Sequence, residues 1–413
     1  MARTLATLPA GCRITDYVSL GVLTAYFPLE KVRAVLGRTG KASQRERALP
    51  AHVVVYYVMA LALYMGSSCR EVLRCLLEGL QWLLAPSERI TPAGRSGISQ
   101  ARTRLGSEPM RLLHDECVKP VAGPDTRGAW YGKWKLVSID GSTLDLSDTP
   151  ANDQEFGRPG CSGGQGPYPQ LRFVSLVENG THVLFGSQIG KYRTSEVALS
   201  SDVVQHLEPG VLCLADRNFY GFKLWSKACA TGADLLWRMK DTPYLPCHKR
   251  LKDGSYLSKV YASARHRDRD EGGMVVRVIE YALAGVPGSE PHYRLITTIL
   301  DPQVAPAKEL AALYHERWEI ETALDELKTH LRGGRIVLRS KTPDLSRQEF
   351  YGLMMTHFAL RALMHEAALK AGEDPDRLSY VHAVRVVRRT LPRGVAHFPP
   401  QETETGKIGR AHV

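Results

Sequence analysis

The spacing of apolar residues along the chain changes near residue 125. Before that point, apolar residues recur every three to four positions, which predicts an all-helical region. Ser68 and Glu71 form a capping box that opens one of these helices. Residues 51–65 predict a helix buried inside the region, because about 15 residues fall short of the roughly 20 that a membrane-spanning helix requires.

A short basic helix is predicted at residues 98–105, after the turn-rich residues 85–97. Gly106 ends this helix, and Ser107 begins the next one. A helix, a turn and a short basic helix are compatible with a DNA-binding helix-turn-helix motif. In that interpretation, phosphates are contacted by Arg95, Arg102 and Arg104. An ordinary helical bundle with solvated arginines fits the same pattern, so both interpretations stay open.

The pattern switches to strands after a linker at residues 119–127. Asn179-Gly180 predicts the turn of a β-hairpin. The predicted elements are strands at 135–146, 172–178 and 181–189, a helix at 195–207, a strand at 211–216, a helix at 221–231 and a strand at 233–239. Three strands, helix, strand, helix, strand is the order of a ribonuclease-H-like fold. The predicted fold class is therefore α/β, with a mixed sheet and flanking helices.

Residues 241–294 interrupt this order with a strand pattern at 274–283. We interpret them as a β-rich insertion within the sheet. The regular pattern then resumes with a strand at 293–300, a long helix at 307–331 and a closing helix at 348–370.

These patterns divide the chain into four predicted segments. They are an N-terminal helical, DNA-binding domain at 1–125, a catalytic core at 126–240 and 295–398, the β-rich insertion at 241–294, and a disordered tail at 399–413. Residues 408–413 (IGRAHV) resemble the translation of a sequencing adapter and are left out of the fold interpretation.

The composition narrows the range of partners. A net charge of +11 and a pI near 9.2 favour a polyanion, with nucleic acid first and an acidic membrane second. Eight cysteines without a CxxC pair fit neither a disulfide framework nor a zinc site, and they suit a reducing compartment. The N-terminus lacks the pattern of a secretory signal.

One face of the predicted helix at 307–331 carries groups suited to phosphate chemistry. At about 100° per residue, an arc of roughly 60° contains Tyr314, Arg317, Glu321 and Lys328. A stripe of leucine and isoleucine lies roughly 80–90° away and is expected to pack. A carboxylate flanked by a phenol and two cations suits a divalent metal held beside a phosphate.

Two aspartates upstream complete a candidate metal site with Glu321. Asp140 follows the apolar run KLVSI and Asp216 follows VLCLA, so both are expected at the carboxyl edge of the sheet. Three converging carboxylates would repel one another without a metal, and Mg²⁺ prefers such oxygen ligands. Two ions about 3.5–4 Å apart can clamp the attacking and leaving oxygens of a phosphoryl displacement. Taken singly, each aspartate could be a cap, and Arg317–Glu321 could be a surface ion pair.

The run Tyr314-His-Glu-Arg317-Trp-Glu-Ile-Glu321, followed by Lys328, resembles the Y-x2-R-x3-E-x6-K signature of insertion-element-4-type DDE transposases. The segments at 139–152 and 214–222 are similar to the regions around that family's first and second aspartates, and 98–106 is similar to part of its N-terminal domain. The resemblance covers nearly the whole chain in the right order.

The resemblance implies a ribonuclease-H-like DNA transposase that performs cut-and-paste transposition of an insertion sequence. Asp140, Asp216 and Glu321 would bind two Mg²⁺ ions, with Mn²⁺ as a substitute, and catalyse end cleavage and 3′-OH strand transfer. DNA contacts are expected from Tyr314, Arg317, Lys328, Arg238, Lys240, Arg217, Arg102 and Arg104. Some members stack a tryptophan of the insertion on a flipped base, but residues 241–294 contain no Trp.

The expected partner is double-stranded DNA, both terminal inverted repeats and target DNA, bound by a DNA-dependent homodimer in the bacterial cytoplasm at the nucleoid. A membrane partner is not expected. ATP is not expected either, because no Gly-Lys-Ser/Thr follows the glycines of 157–167, as a phosphate-binding loop would require. Two alternatives stay open: a metal-dependent DNA nuclease without strand transfer, and a catalytically inactive DNA-binding copy.

Overall fold

The computed structural model describes residues 21–44, 49–81, 94–161, 164–240, 244–282, 292–334 and 336–390. Most of the predicted turn region at 85–97, the predicted tail at 399–413 and part of the insertion at 283–291 lie outside these residues. The chain forms two compact units. The first comprises Met1–Asp125, Leu144–Leu171 and Leu324–Val413, and the second comprises Thr126–Thr143 and Arg172–Ala323. The four domain boundaries inferred from the sequence stay a prediction.

The helices are α1 Gly21–Tyr26, α2 Leu29–Arg38, α3 Ala51–Leu63, α4 Cys69–Gln81, α5 Arg95–Leu105, α6 Glu108–Cys117, α7 Pro150–Phe156, α8 Glu196–Val203, α9 Phe222–Cys229, α10 Ala264–Asp268, α11 Ala307–His315, α12 Glu319–Asp325, α13 Pro343–Ala371 and α14 Tyr380–Thr390. The strands are β1 Trp130–Tyr131, β2 Trp134–Asp145, β3 Gly160–Cys161, β4 Gly164–Gln165, β5 Gln170–Glu178, β6 Val183–Lys191, β7 Val211–Ala215, β8 Asp234–Met239, β9 Lys249–Arg250, β10 Tyr256–Val260, β11 Met274–Tyr281 and β12 Tyr293–Thr297.

Helix α3 is the buried centre of the first unit. Its residues from Val53 to Leu63 are all buried, which explains the unbroken apolar run in the sequence. It packs closely on α13, since a side chain at Gly352 would meet Val58 at 2.8 Å and Thr356 donates a hydrogen bond to the Met59 carbonyl. Among the described helices, none combines the length and apolarity needed to cross a bilayer.

Local signals set the ends of several helices in the first unit. The backbone N–H of Glu71 donates to the hydroxyl of Ser68 at 3.2 Å, as expected for a helix start. Helix α5 ends at Gly106, whose φ of 72° is accessible to glycine at little cost. Helix α13 begins five residues before the predicted 348, at Pro343, a residue favoured in the first turn of a helix.

Most strands of the described chain form one ten-stranded mixed sheet, in the order β6-β5-β2-β7-β8-β12-β11-β10-β9 with β1 beside β2. The pairs β2–β7 and β7–β8 are parallel, whereas β8–β12, β12–β11 and β11–β10 are antiparallel. Strands from the predicted insertion thus extend the sheet rather than forming a separate layer. The predicted fold class, an α/β fold with a ribonuclease-H-like mixed sheet and an N-terminal helical region, is confirmed.

Helix α11 is held against one face of this sheet by an apolar core. Buried side chains of β2, β7, β8, β11 and β12 pack against Leu310 and Tyr314 of the helix; they include Trp134, Leu136, Leu212, Leu214, Leu236, Ile279 and Leu295. The burial fixes the position of the segment that follows α11.

Residues 307–331 are helical throughout, as predicted, but they do not form one uniform α-helix. Helix α11 ends at His315, a 3₁₀ turn covers Glu316–Trp318, α12 follows, and Glu326–Leu331 forms a π-helix. Both variants change the rotation per residue, so a constant 100° wheel does not apply. Tyr314, which packs in the apolar core, and Arg317 are buried, at 5% and 9% exposure, rather than displayed on an open face.

Candidate active site

Asp140 and Asp216 leave neighbouring parallel strands at the same level. Ile139 of β2 pairs with Ala215 of β7, and each aspartate is the next residue along its strand. Strand β2 runs on to Asp145, close to the predicted strand at 135–146, so Asp140 lies within the strand rather than at its end. The pairing of β2 with β7 nevertheless stops at Ile139, and this opens the sheet at the two aspartates.

Asp140 is a half-buried carboxylate among other acidic groups. Its Oδ1 accepts a hydrogen bond of 2.7 Å from the backbone N–H of Gly141. Burial raises its pKa to about 6, and the negative charges of Glu196 and Asp216 act in the same direction. The Gly141 N–H and the Arg317 guanidinium oppose this rise in the pKa. A bound cation would offset the repulsion between these negative charges and lower the pKa of Asp140.

Arg317 supplies the positive charge between two of the predicted catalytic carboxylates. Its Nη1 lies 3.8 Å from Oδ2 of Asp140, and its Nη2 lies 3.6 Å from Oε1 of Glu321. The 3₁₀ turn at Glu316–Trp318 carries Arg317, and α12 carries Glu321 one turn later. The structure therefore brings Glu321 to the same edge of the sheet as Asp140.

Asp216 is held by its own turn. The backbone N–H of Asn218 donates to its carboxylate, and the N–H of Phe219 donates to its carbonyl at 3.2 Å. This local bonding orients the carboxylate without using a cation. Its negative charge reaches both Asp140 and Tyr314, as the direction of its effect on each pKa indicates.

Tyr314 lies buried at the end of α11. Burial raises the pKa of its phenol to about 12, so the group stays protonated near neutral pH and can donate a hydrogen bond. The Arg317 guanidinium lies 6.0 Å from the Tyr314 ring and 5.8 Å from the ring of Trp318, which is 59% exposed.

Three further predicted DNA contacts surround this edge. Arg238 of β8 is half-buried, and its guanidinium lies 4.4 Å from the centre of the Tyr293 ring. Arg217 is half-buried directly after Asp216, and Lys240 is exposed just beyond β8. Among tyrosines of the insertion, Tyr293 and Tyr281 stack on each other at 5.2 Å.

Lys328, Arg102 and Arg104 belong to the other compact unit. Lys328 lies in the π-helix, half-buried, and burial lowers its pKa, with the charge of Arg332 acting in the same direction. Arg104 is exposed on α5, which suits a contact with phosphate.

The prediction that Arg102 faces phosphates is wrong. Arg102 is only 5% exposed, and its guanidinium donates to Gln348 Oε1 at 2.8 Å and to Ser340 Oγ at 2.9 Å. A third bond reaches the carbonyl of Leu345 at 3.2 Å. Arg102 thus joins α5 to the start of α13 inside the helical unit, where its charge is not available to DNA.

Two groups beside the site were missed by the sequence analysis. Glu196 lies so close to Gly141 that a Cβ there would be 2.7 Å from its carboxyl carbon. Arg172 of β5 donates to Glu196 at 3.1 Å. The only signal in the sequence was the glycine after Asp140, which has no side chain and so permits an unusually close neighbour.

Asp140 and Asp216 leave adjacent strands at the same level, and Arg317 lies between Asp140 and Glu321. Carboxylate oxygens are the donors that Mg²⁺ and Mn²⁺ prefer, and the guanidinium beside Asp140 and Glu321 is a positive charge already held there. Neither a thiol nor an imidazole is among these predicted ligands, so a soft metal is not favoured.

The chain matches two family models in succession. The model described as the insertion element 4 transposase N-terminal region matches residues 17–115. The transposase DDE domain matches residues 133–359, more than half of the chain. The order of the two models follows the change from helices to strands.

Individual proteins give a consistent result. Transposase InsG for insertion sequence element IS4 of Escherichia coli (strain K12) is 28% identical over 374 residues, covering 89% of this chain and 81% of InsG. InsZ of the same strain is 26% identical over 222 residues, covering 53% of this chain and 71% of InsZ.

Among solved structures, the cryo-EM structure of the piggyBac transposase synaptic complex with hairpin DNA matches with a TM-score of 0.47 at 10% identity, covering 95% of this chain and 83% of that one. The family assignment rests on the two family models and on InsG. This chain belongs to the insertion-element-4-type DDE transposases.

Proposed function

We propose that this transposase cuts an insertion sequence out of donor DNA and joins its ends to target DNA. The proposal is supported by the side-by-side position of Asp140 and Asp216 on adjacent strands and by Arg317, which lies between Asp140 and Glu321. Hydrolysis exposes a 3′-hydroxyl at each end. That hydroxyl then attacks a target phosphodiester, forming one P–O bond while another breaks. No ATP or covalent protein intermediate is required.

Asp140, Asp216 and Glu321 would hold two Mg²⁺ ions, which Mn²⁺ could replace. When bound, the ions activate the attacking oxygen and stabilise the leaving one. The ionised carboxylates accept hydrogen bonds but donate none, and their role would be to hold the metal ions in place with their negative charge. Arg317 would turn from its carboxylate partners to a phosphate oxygen, for which a planar guanidinium is well shaped.

The remaining groups would grip the DNA backbone around the cleaved bond. Tyr314 would donate a hydrogen bond from its phenol to a phosphate oxygen, and Lys328 would add positive charge. Backbone contacts are proposed for Arg217, Arg238, Lys240 and Arg104. With a net charge of +11, binding should weaken as salt rises. We further propose a DNA-dependent homodimer that acts at the nucleoid in the bacterial cytoplasm.

The test is a reaction of the purified full chain with Mg²⁺ and labelled DNA carrying the inverted repeats that flank its gene. Cleaved ends joined to a target plasmid would support the proposal. Nicking without joining would favour a nuclease, and DNA binding without cleavage would favour an inactive copy.

A further inference from the structure

The turn between β5 and β6 is buried beneath the candidate active site. Asn179 has no exposed surface, and its side chain makes two hydrogen bonds in opposite directions. Its Oδ1 accepts from the hydroxyl of Ser138 at 2.9 Å, and its Nδ2 donates to the carbonyl of Glu316 at 3.3 Å. The Asn179 N–H also donates to the Leu136 carbonyl at 3.1 Å. One amide therefore connects β2 with the 3₁₀ turn.

Gly180 makes a second connection to the same segment. Its N–H donates to the carboxylate of Glu319, and Nε2 of His182 lies 3.9 Å from that carboxylate. The φ of Gly180 is 77°, and a Cβ there would lie 2.6 Å from the carbonyl oxygen of Arg127. Only glycine fits at this position, because any side chain would collide with the backbone of Arg127. The turn is therefore in close contact with that backbone.

The two connections surround the candidate catalytic residues in sequence. Ser138 lies two positions before Asp140, while Glu316 and Glu319 flank Arg317 and precede Glu321. The 3₁₀ turn at Glu316–Trp318 has poorer hydrogen-bond geometry than an α-helical turn, so its own backbone bonds hold it less firmly. The segment needs external support to keep Glu321 at a fixed distance from Asp140.

We propose that Asn179 and Glu319 are positioning residues that fix Arg317 and Glu321 relative to Asp140. The inference rests on the proposed function, because it assigns these groups to the support of the metal-binding carboxylates. Asn179 acts through Ser138 on one side and through the Glu316 carbonyl on the other. Glu319 acts through Gly180. Neither side chain is among the proposed metal ligands or DNA contacts.

The test compares Asn179→Asp with a matched control, Asn152→Asp. Asn152, in the other compact unit, is equally buried, and its amide donates to the carbonyls of Ser147 and Ser340 at 3.0 Å each. In both variants an aspartate oxygen would face a carbonyl, so both should lose thermal stability. Only Asn179→Asp should weaken Mn²⁺ binding to the DNA-free full chain, by about tenfold, the low end of the effect of losing a group bonded directly to a metal ligand, because Asn179 acts through Ser138 and the Glu316 carbonyl.

A second pair of variants keeps the test valid if Asn179→Asp does not fold. Glu319→Gln retains an oxygen acceptor for the Gly180 N–H and should bind Mn²⁺ as wild type does, whereas Glu319→Ala should bind more weakly. Equal Mn²⁺ affinities within both pairs would overturn the inference. Wild-type protein that binds Mn²⁺ but neither cleaves nor joins DNA would overturn the proposed function instead. In that case the Mn²⁺ affinities of the variants would still test the positioning role.

Discussion

The guanidinium of Arg317 lies 3.8 Å from the carboxylate of Asp140 on β2, the third strand from the β6 end of the described sheet. The same guanidinium lies 3.6 Å from Glu321. Arg317 is therefore the internal cation of a site whose other groups are acidic, and a divalent ion must compete with it for the two carboxylates.

Replacing Arg317 with glutamine should tighten binding of Mg²⁺ to the DNA-free protein. Removing a partly screened charge pair worth about 1 kcal/mol corresponds to about a fivefold lower dissociation constant. Calorimetric titration measures the change. Lys240→Gln makes the same change in net charge at an exposed position and serves as the control. Equal affinities in the two variants would show that Arg317 does not compete with the metal.

Asp140 predicts a dependence of stability on pH in protein treated with chelator. Its pKa rises from 3.8 to about 6 on folding, mainly through burial. A raised carboxyl pKa contributes stability that is fully present below the unfolded value and is lost as pH rises through about 6. Asp140→Asn cannot ionise, so it should exceed wild type in stability at pH 8 by about 1–3 kcal/mol, after allowance for partial exposure.

Denaturant unfolding at pH 4.5 and pH 8 in chelator tests this expectation for Asp140. The advantage of Asp140→Asn should shrink strongly at the lower pH. A stability difference that is the same at both pH values would mean that the Asp140 carboxyl is not perturbed by its surroundings.

Glu321→Gln should abolish DNA cleavage while leaving DNA affinity within a few-fold of wild type. The substitution keeps the size of the side chain but removes one carboxylate from the proposed metal ligands, and Glu321 is exposed, so the fold should tolerate it. Gel-shift and cleavage assays on the same DNA separate the two effects. Loss of binding together with a lower melting temperature would instead make Glu321 a structural residue.

Arg102 and Arg104 should behave in opposite ways although they are two residues apart. Arg102→Ala leaves buried partners unsatisfied and should cost about 2–4 kcal/mol of folding free energy. Arg104→Ala should change stability by less than about 0.5 kcal/mol and lower the salt slope of DNA binding by about 1. If Arg102→Ala is stable but reduces the salt slope, its burial in the fold does not persist in solution.

Gly141→Ala should impair cleavage by pushing Glu196 away from its place beside Asp140. The added Cβ would lie 2.7 Å from the Glu196 carboxyl carbon. A double variant, Gly141→Ala with Glu196→Ala, removes the clash and should recover part of the lost activity. Gly221→Ala is the matched control, since a Cβ there meets nothing within 4 Å. Equal activity of the two single variants would contradict the predicted clash.

The sequence by itself determined most of the helices and strands and the order of the candidate catalytic residues along the chain. Apolar runs before Asp140 and Asp216 predicted two strands, since a strand buried on both faces has a nearly continuous apolar run. The signature from Tyr314 to Lys328 predicted the third carboxylate of the candidate site. The same local patterns predicted that residues 51–65 form a buried helix, and α3 confirms this.

Only the tertiary structure decided which charged side chains are buried and where the helical segment at 307–331 changes from α-helix to 3₁₀ turn and π-helix. Arg102 reads as a surface arginine in its own helix, and its partners lie more than 200 residues away along the chain. The breaks around Arg317 and the positions of Asn179 and Glu196 depend on packing against distant strands. Periodicity reports on neighbours within a few residues, whereas hydrogen bonds and burial between distant segments leave no local pattern from which they could be predicted.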